Sequence, residues 1–254
     1  MAIIITVAIQ KGGVGKTATV KNMGASYSHY KKKALVVDLD PQANATTGLG
    51  FNPNQLERTI ADLFTSNAVA VKDVIVSTDF GQPGRTPLDV LPSHRSMSDV
   101  IRSMNARQTG MVKSLLSEVD SEYDYIIIDT PPTESLATAN ALVASDYVLI
   151  PVQPDRDAMD GVVEILRAID EVRTGLNPGL KVMGILPTMV DLRTSLSKFA
   201  LDEIRSNYPA LIIEDWIPHT VQFGDSSLYG KPLVVMNPGH EASENYMKLA
   251  ARFL

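Results

Sequence analysis

The apolar run Ile3-Ile4-Ile5-Thr6-Val7-Ala8-Ile9 breaks directly into Gln10-Lys11-Gly12-Gly13-Val14-Gly15-Lys16-Thr17. A buried strand that turns through glycines and opens a helix on a Lys-Thr pair is suited to holding a nucleoside triphosphate. Small residues let backbone N–H groups turn inward around phosphates, and the helix N-terminus adds its positive end. In this reading Lys16 reaches the outer phosphates and the Thr17 hydroxyl ligates Mg²⁺. The loop departs from the common G-x-x-x-x-G-K-[ST] form, because Gln10 stands where the first glycine would be. It carries instead a second lysine, Lys11, able to neutralise charge on its own nucleotide or on that of a neighbouring subunit.

Downstream, short apolar runs alternate with helical patterns. Strands are expected at 3–9, 34–38, 88–91, 125–129, 147–152 and 182–186. Helices are expected at about 17–30, 96–119, 134–144, 158–173, 195–207 and 241–253. Near-continuous apolar, β-branched strands suit a parallel sheet covered on both faces. The fold class is therefore α/β, a doubly wound, mostly parallel sheet flanked by helices, read as one domain over 1–254. The stretch 41–87 is the least regular, with a short helix expected near 59–64. Ligands of such sheets sit at the carboxyl ends of the strands, so the loops after the first, second and fourth apolar runs of the phosphate-loop half carry the chemistry.

The second strand ends in Val37-Asp38-Leu39-Asp40-Pro41. Hydrolysis of a γ-phosphate needs a polar group that sets water in line. Asp40 is placed for that role, and Asp38 could assist through Mg²⁺-bound water. The run Tyr125-Ile126-Ile127-Ile128 delivers Asp129, an acidic residue closing a buried strand beside the phosphate loop, which is the Walker B arrangement for holding Mg²⁺.

Together these motifs resemble the deviant-Walker ATPases of the ParA/Soj partition family. The matching pieces are KGGVGKT at 11–17, DLDPQANATTGLG at 38–50, IIIDTPP at 126–132, PTMVDLRTSLS at 187–197 and IPHTVQFGDSSLYGKPL at 217–233. They run in order along essentially the whole chain. The resemblance implies an Mg²⁺-dependent ATPase with a weak, partner-stimulated rate that forms an ATP sandwich dimer. Lys11 would reach the nucleotide across the interface, with Lys16 gripping phosphate, Asp40 positioning water and Asp129 acting as Walker B. ATP would lie against Gly12, Gly13, Val14, Gly15, Lys16, Thr17 and Ala18, with Met189 and Pro218 near the adenine. Mg²⁺ would be held by Thr17, Asp40 and Asp129. The implied partners are a ParB-like adaptor and non-specific nucleoid DNA, and the implied cargo is a plasmid or chromosome. Two other readings stay open: a positioner of a protein cargo such as carboxysomes, and a metabolic P-loop enzyme acting on a small molecule.

Two positions depart from the family pattern. Ala18 replaces a second threonine and removes a hydroxyl near the α-phosphate. His219 and Gln222 replace arginines that relatives use on DNA. Arg193, Lys198 and Arg205 are the remaining DNA candidates, but from residue 181 onward seven lysines and arginines accompany eight acidic residues. The net charge of −6 argues against wholesale wrapping by nucleic acid, not against a local patch. Lys31-Lys32-Lys33 offsets the carboxyl end of the first helix.

The chain has no cysteine, which excludes disulfides and thiolate metal sites, and its four histidines lack ligand spacing. The segment after Met1 reads as a strand rather than a leader. The closing helix mixes glutamates with Lys248 and Arg252, as a core-packing helix does and a membrane-surface helix does not. A cytoplasmic, nucleoid-associated protein with no membrane contact is the expectation.

Overall fold

A computed structural model describes residues 1–254 apart from Asn67, Glu134 and the side chain of Ala106. Seven strands form one sheet: β1 (Ile3–Val7), β2 (Ala34–Asp38), β3 (Val76–Thr78), β4 (Leu88–Leu91), β5 (Tyr125–Asp129), β6 (Tyr147–Val152) and β7 (Lys181–Pro187). Their order is β3-β4-β2-β5-β1-β6-β7, and all pairs are parallel except β3 with β4. The six expected strands are present. The seventh, β3, is a short antiparallel edge in the irregular stretch 41–87, too brief to stand out as an apolar run.

The helices are α1 (Lys16–His29), α2 (Asn44–Gly48), α3 (Ile60–Thr65), α4 (Met97–Ser103), α5 (Met111–Ser117), α6 (Leu136–Ala144), α7 (Ala158–Gly175), α8 (Ser195–Asn207), α9 (Gln222–Leu228), α10 (Leu233–Met236) and α11 (Glu241–Ala251). Successive strand residues face opposite sides of a sheet, and the core divides accordingly. Ile5, Val7, Val36 and Ile127 pack on one face with Val20, Met23 and Tyr27 of α1, Leu233 of α10 and Tyr246 of α11. On the other face Leu35, Val37, Ile126 and Ile128 meet α3 to α6, and Val148 and Ile150 meet α7 and α8. The closing helix is thus a core element. Tyr246 and Leu249 are buried, and the Tyr246 hydroxyl pairs with Thr19 Oγ1 at 3.0 Å. Among the described residues no helix is long and apolar enough to cross a membrane.

The continuous helix expected over 96–119 is broken. Gly110 takes φ +118°, in the left-handed region that favours glycine. Asn140 Oδ1, reaching over from α6, accepts the Gly110 and Val112 N–H groups at 2.9 and 3.3 Å and starts a new helix there. The helix expected from 134 begins at Leu136 with Ser135 as its N-cap, accepting from Thr138 N at 3.4 Å. Glu134 lies outside the described residues. Because Ser135 caps α6, Asp129 is free of that duty.

Candidate functional site

β1 lies inside the sheet, between β5 and β6, and its carboxyl end feeds the phosphate loop. Gly13 and Gly15 take φ +76° and +85°, and Gly15 is the N-cap of α1. Thr188, immediately after β7, donates its hydroxyl to the Val14 carbonyl at 2.7 Å and pins the loop. Val14 is 1% exposed, so its side chain is core beneath the loop rather than a cavity wall. Lys16 is buried, and its ammonium donates to the Ile9 and Lys11 carbonyls at 3.1 and 2.7 Å. Burial lowers its pKa, against the opposing pull of Asp129 and Asp40. Gly12, Gly13, Gly15, Lys16, Thr17, Ala18, Asp40 and Met189 all line one cavity of about 440 Å³.

Sheet register assembles the carboxylates. β5 runs between β1 and β2, so Asp129 stands opposite Val7 on one side and Asp38 on the other. Asp129 is fully buried, and its Oδ2 accepts the Thr17 hydroxyl at 2.7 Å. Its Oδ1 has no partner among the described residues. An unpaired buried carboxylate oxygen calls for a missing donor or cation. Burial first, then the neighbouring Asp38 charge, pushes the Asp129 pKa well up. A divalent cation beside Thr17 would reverse both penalties, so these residues fit Mg²⁺, directly or through water. Among the described residues no group of three or more His, Asp or Glu could hold a metal alone. Such an ion would draw most of its ligands from phosphate oxygens and water, as Mg²⁺ commonly does.

Asp38 has a different task from the one expected. One oxygen accepts Asp40 N at 3.1 Å and the other accepts Thr46 N and Thr46 Oγ1 at 2.9 and 2.8 Å. Thr46 Oγ1 in turn accepts Ser93 N at 2.9 Å. Fully buried and engaged at both oxygens, Asp38 shapes the loop that carries Asp40, and burial raises its pKa to about 6. Asp40 faces the cavity with Oδ1 accepting Gln42 N at 2.9 Å. Burial raises its pKa, while the Gln42 N–H and Lys16 oppose the rise.

Lys11 does not line the cavity. Its ammonium sits 2.7 Å from both carboxylate oxygens of Asp155 and 4.0 Å from Asp157, in the loop after β6. Met189 adopts φ +53° on the cavity wall. Pro218 is not on the wall but bridges to Val190, one residue along from Met189. The DNA candidates are exposed or half-exposed around α8, yet two are already paired. Arg193 chelates Asp191 through two hydrogen bonds of 2.8 and 2.7 Å. Arg205 bonds Glu214 at 2.8 Å and Asp202 at 3.2 Å. Lys198 has no ion pair among the described residues. The Gln222 side chain accepts from Asn237 at 3.1 Å.

Sequence reading passed over Asp155, Thr188, Thr46 and Lys21. The loop after β6 carries the acidic pair Asp155 and Asp157, but only the sheet order makes β6 the direct neighbour of β1.

Residues 2–182 match a family model described as an AAA domain. Sporulation initiation inhibitor protein Soj of Bacillus subtilis (strain 168) is 36% identical over 252 residues, covering 98% of this chain and 97% of Soj. Chromosome partitioning protein ParA of Caulobacter vibrioides is 34% identical over 251 residues, covering 97% and 92%. A solved structure named cobyrinic acid a,c-diamide synthase from Mycobacterium smegmatis, with a bound ATP analogue and magnesium, superposes with a TM-score of 0.84. It is 30% identical and covers 100% of this chain and 94% of that one. With the phosphate loop, the buried Asp129 and full-length identity to Soj and ParA in agreement, the chain belongs to the ParA/MinD family of P-loop ATPases.

Proposed function

We propose that the protein is an Mg²⁺-dependent partition or positioning ATPase over residues 1–254, switched by ATP between monomer and sandwich dimer. The observation that carries the chemistry is the meeting in one place of Lys16, Thr17, Asp40 and the half-satisfied Asp129. Lys16 leaves the loop carbonyls for the β- and γ-phosphates, while the Gly12–Ala18 amides and the α1 N-terminus hold the phosphate chain. Thr17 and Asp129 would hold Mg²⁺, and the ion would supply charge stabilisation of the transferred phosphoryl group. Asp40 accepts a hydrogen bond from the attacking water and sets it in line, positioning being most of what this reaction needs. Lys11 leaves Asp155 to reach the nucleotide of the second subunit.

Soj and ParA identity over nearly the whole chain supports cargo positioning through a ParB-like adaptor. Non-specific DNA would be the matrix, contacted by Arg193, Lys198 and Arg205 of both subunits. The likeness to the Mycobacterium smegmatis cobyrinic acid a,c-diamide synthase supports a second reading, a P-loop enzyme that acts on a small molecule. Sedimentation with ATP, then with added duplex, separates the two, since only the positioning ATPase gains mass in both steps. Calorimetry on Lys16→Ala tests the site itself: nucleotide binding is expected to vanish, and wild-type affinity would remove this cavity from the mechanism.

A further inference from the structure

Lys21 lies one turn beyond Thr17 on α1 and is 3% exposed, yet it lines the same cavity as the phosphate loop. Burying an ammonium is costly unless it is paired, and this one is poorly paired. Among the described residues its one hydrogen bond runs to Ser227 Oγ of α9 at 3.0 Å. Its other two donors have no partner among the described residues, and no carboxylate of these residues lies within 4 Å. A residue that merely filled space here would be a methionine or leucine.

The surroundings make room for the charged head. A Cβ on Gly48 of α2 would fall 2.2 Å from Lys21 Nζ and 2.6 Å from Cδ, so that glycine leaves a notch for the lysine. On the cavity side Ala18, three residues before Lys21 and therefore on the same helical face, offers no hydroxyl to a ligand. Buried and under-coordinated on the wall of that cavity, the ammonium has among the described residues only the Asp129 carboxylate, beyond 4 Å, as a negative neighbour.

We propose that Lys21 is a third phosphate-directed lysine of this chain, donating to a phosphoryl oxygen of the nucleotide alongside Lys16. The proposal rests on the reading of this cavity as the nucleotide site. Charge-assisted hydrogen bonds are among the strongest available to a ligand, so its loss should weaken binding at least tenfold.

Calorimetry with Mg²⁺ and either ADP or a non-hydrolysable ATP analogue tests this on wild type, Lys21→Met, Ser227→Ala and Lys16→Ala. Lys21→Met should fold with a free-protein Tm at or above wild type, because an apolar side chain replaces a buried charge, and should lose at least tenfold in affinity. Loss with both nucleotides assigns Lys21 to the inner phosphates; loss with the triphosphate analogue alone assigns it to the γ-phosphate. Ser227→Ala frees the ammonium and should bind nucleotide at least as well as wild type. Wild-type affinity in Lys21→Met overturns the proposal. So does a Ser227→Ala defect equal to that of Lys21→Met, which would mark the pair as a structural latch. Lys16→Ala reports separately: retained binding there defeats the nucleotide reading, whatever Lys21 does.

Discussion

If Lys11 serves the second subunit, each protomer must first surrender its own Lys11–Asp155 ion pair. Asp155→Asn should therefore tighten the ATP-dependent dimer. The substitution is clean, because Asp155 Oδ1 also accepts Asp157 N at 3.1 Å and an asparagine oxygen keeps that turn. At 2.7 Å and an effective dielectric near 20, the gross attraction is about 6 kcal/mol. The two side chains remain 29% and 27% exposed, so solvation of the free ions cancels most of it. A net value of about 1–1.5 kcal/mol stands between exposed and buried pairs. A dimer breaks two such pairs, one per subunit, so the variant should gain about 2–3 kcal/mol, or about 30- to 150-fold in dimer Kd. Asp157, 4.0 Å away, retains some hold on the lysine and favours the lower figure. Sedimentation equilibrium with a non-hydrolysable ATP analogue reads this directly. An unchanged or weaker dimer would refute the reasoning, showing that Asp155 accompanies Lys11 into the interface or that Lys11 never leaves.

Asp40→Ala should bind ATP and lose hydrolysis by about a hundredfold or more, because it positions water without gripping phosphate; a phosphate-release assay at the wild-type rate would reduce it to a turn residue. Burial lowers the Lys21 pKa to about 8 from 10.5. The unfolded chain therefore holds more protons between those values, and wild-type stability should rise with pH across about 8–10.5 relative to Lys21→Met. Denaturant titrations at pH 7.5 and 10 that gave the two proteins equal pH slopes would contradict this. Binding of the ATP-loaded protein to non-specific duplex should weaken as salt rises, and vanish when Arg193, Lys198 and Arg205 all become glutamate. Six free cations per dimer would give a logarithmic salt slope of about −5, whereas Lys198 alone, twice per dimer, gives about −2. The ion pairs of Arg193 and Arg205 place the expected slope nearer the shallow value, and a filter-binding series measures it.

Features carried by a short contiguous stretch were legible before the structure. The six long strands, the glycine loop and Asp129 at the end of β5 each follow from local pattern. So does the core role of α11, because Tyr246, Leu249 and Ala250 recur at helical spacing. What local pattern could not supply is adjacency. Asp38 and Asp129 are 91 residues apart in sequence and become neighbours only through the β2–β5 register, and it is Thr46, folded back on α2, that occupies Asp38. The break between α4 and α5 likewise depends on Asn140 arriving from α6.

The same limitation governs how charge is read. By sequence Arg193 and Arg205 are candidate phosphate ligands, but by structure each already faces carboxylates: Asp191 two residues before Arg193, and Glu214 nine residues beyond Arg205. Lys11, read as a free cation at the loop mouth, is likewise held by Asp155. Lys21 shows the opposite: in sequence it is an ordinary lysine within a helix, yet among the described residues it makes one hydrogen bond where the buried Lys16 makes two. Whether a lysine or arginine can serve a ligand depends on what it must give up first. Breaking a bidentate carboxylate pair offsets much of the attraction of a new phosphate, whereas a buried ammonium with two idle donors gives up almost nothing. On that criterion Lys21 is better prepared than Arg193 or Arg205 to receive a phosphate, and the proposed DNA contact would depend on salt less steeply than its count of cations implies.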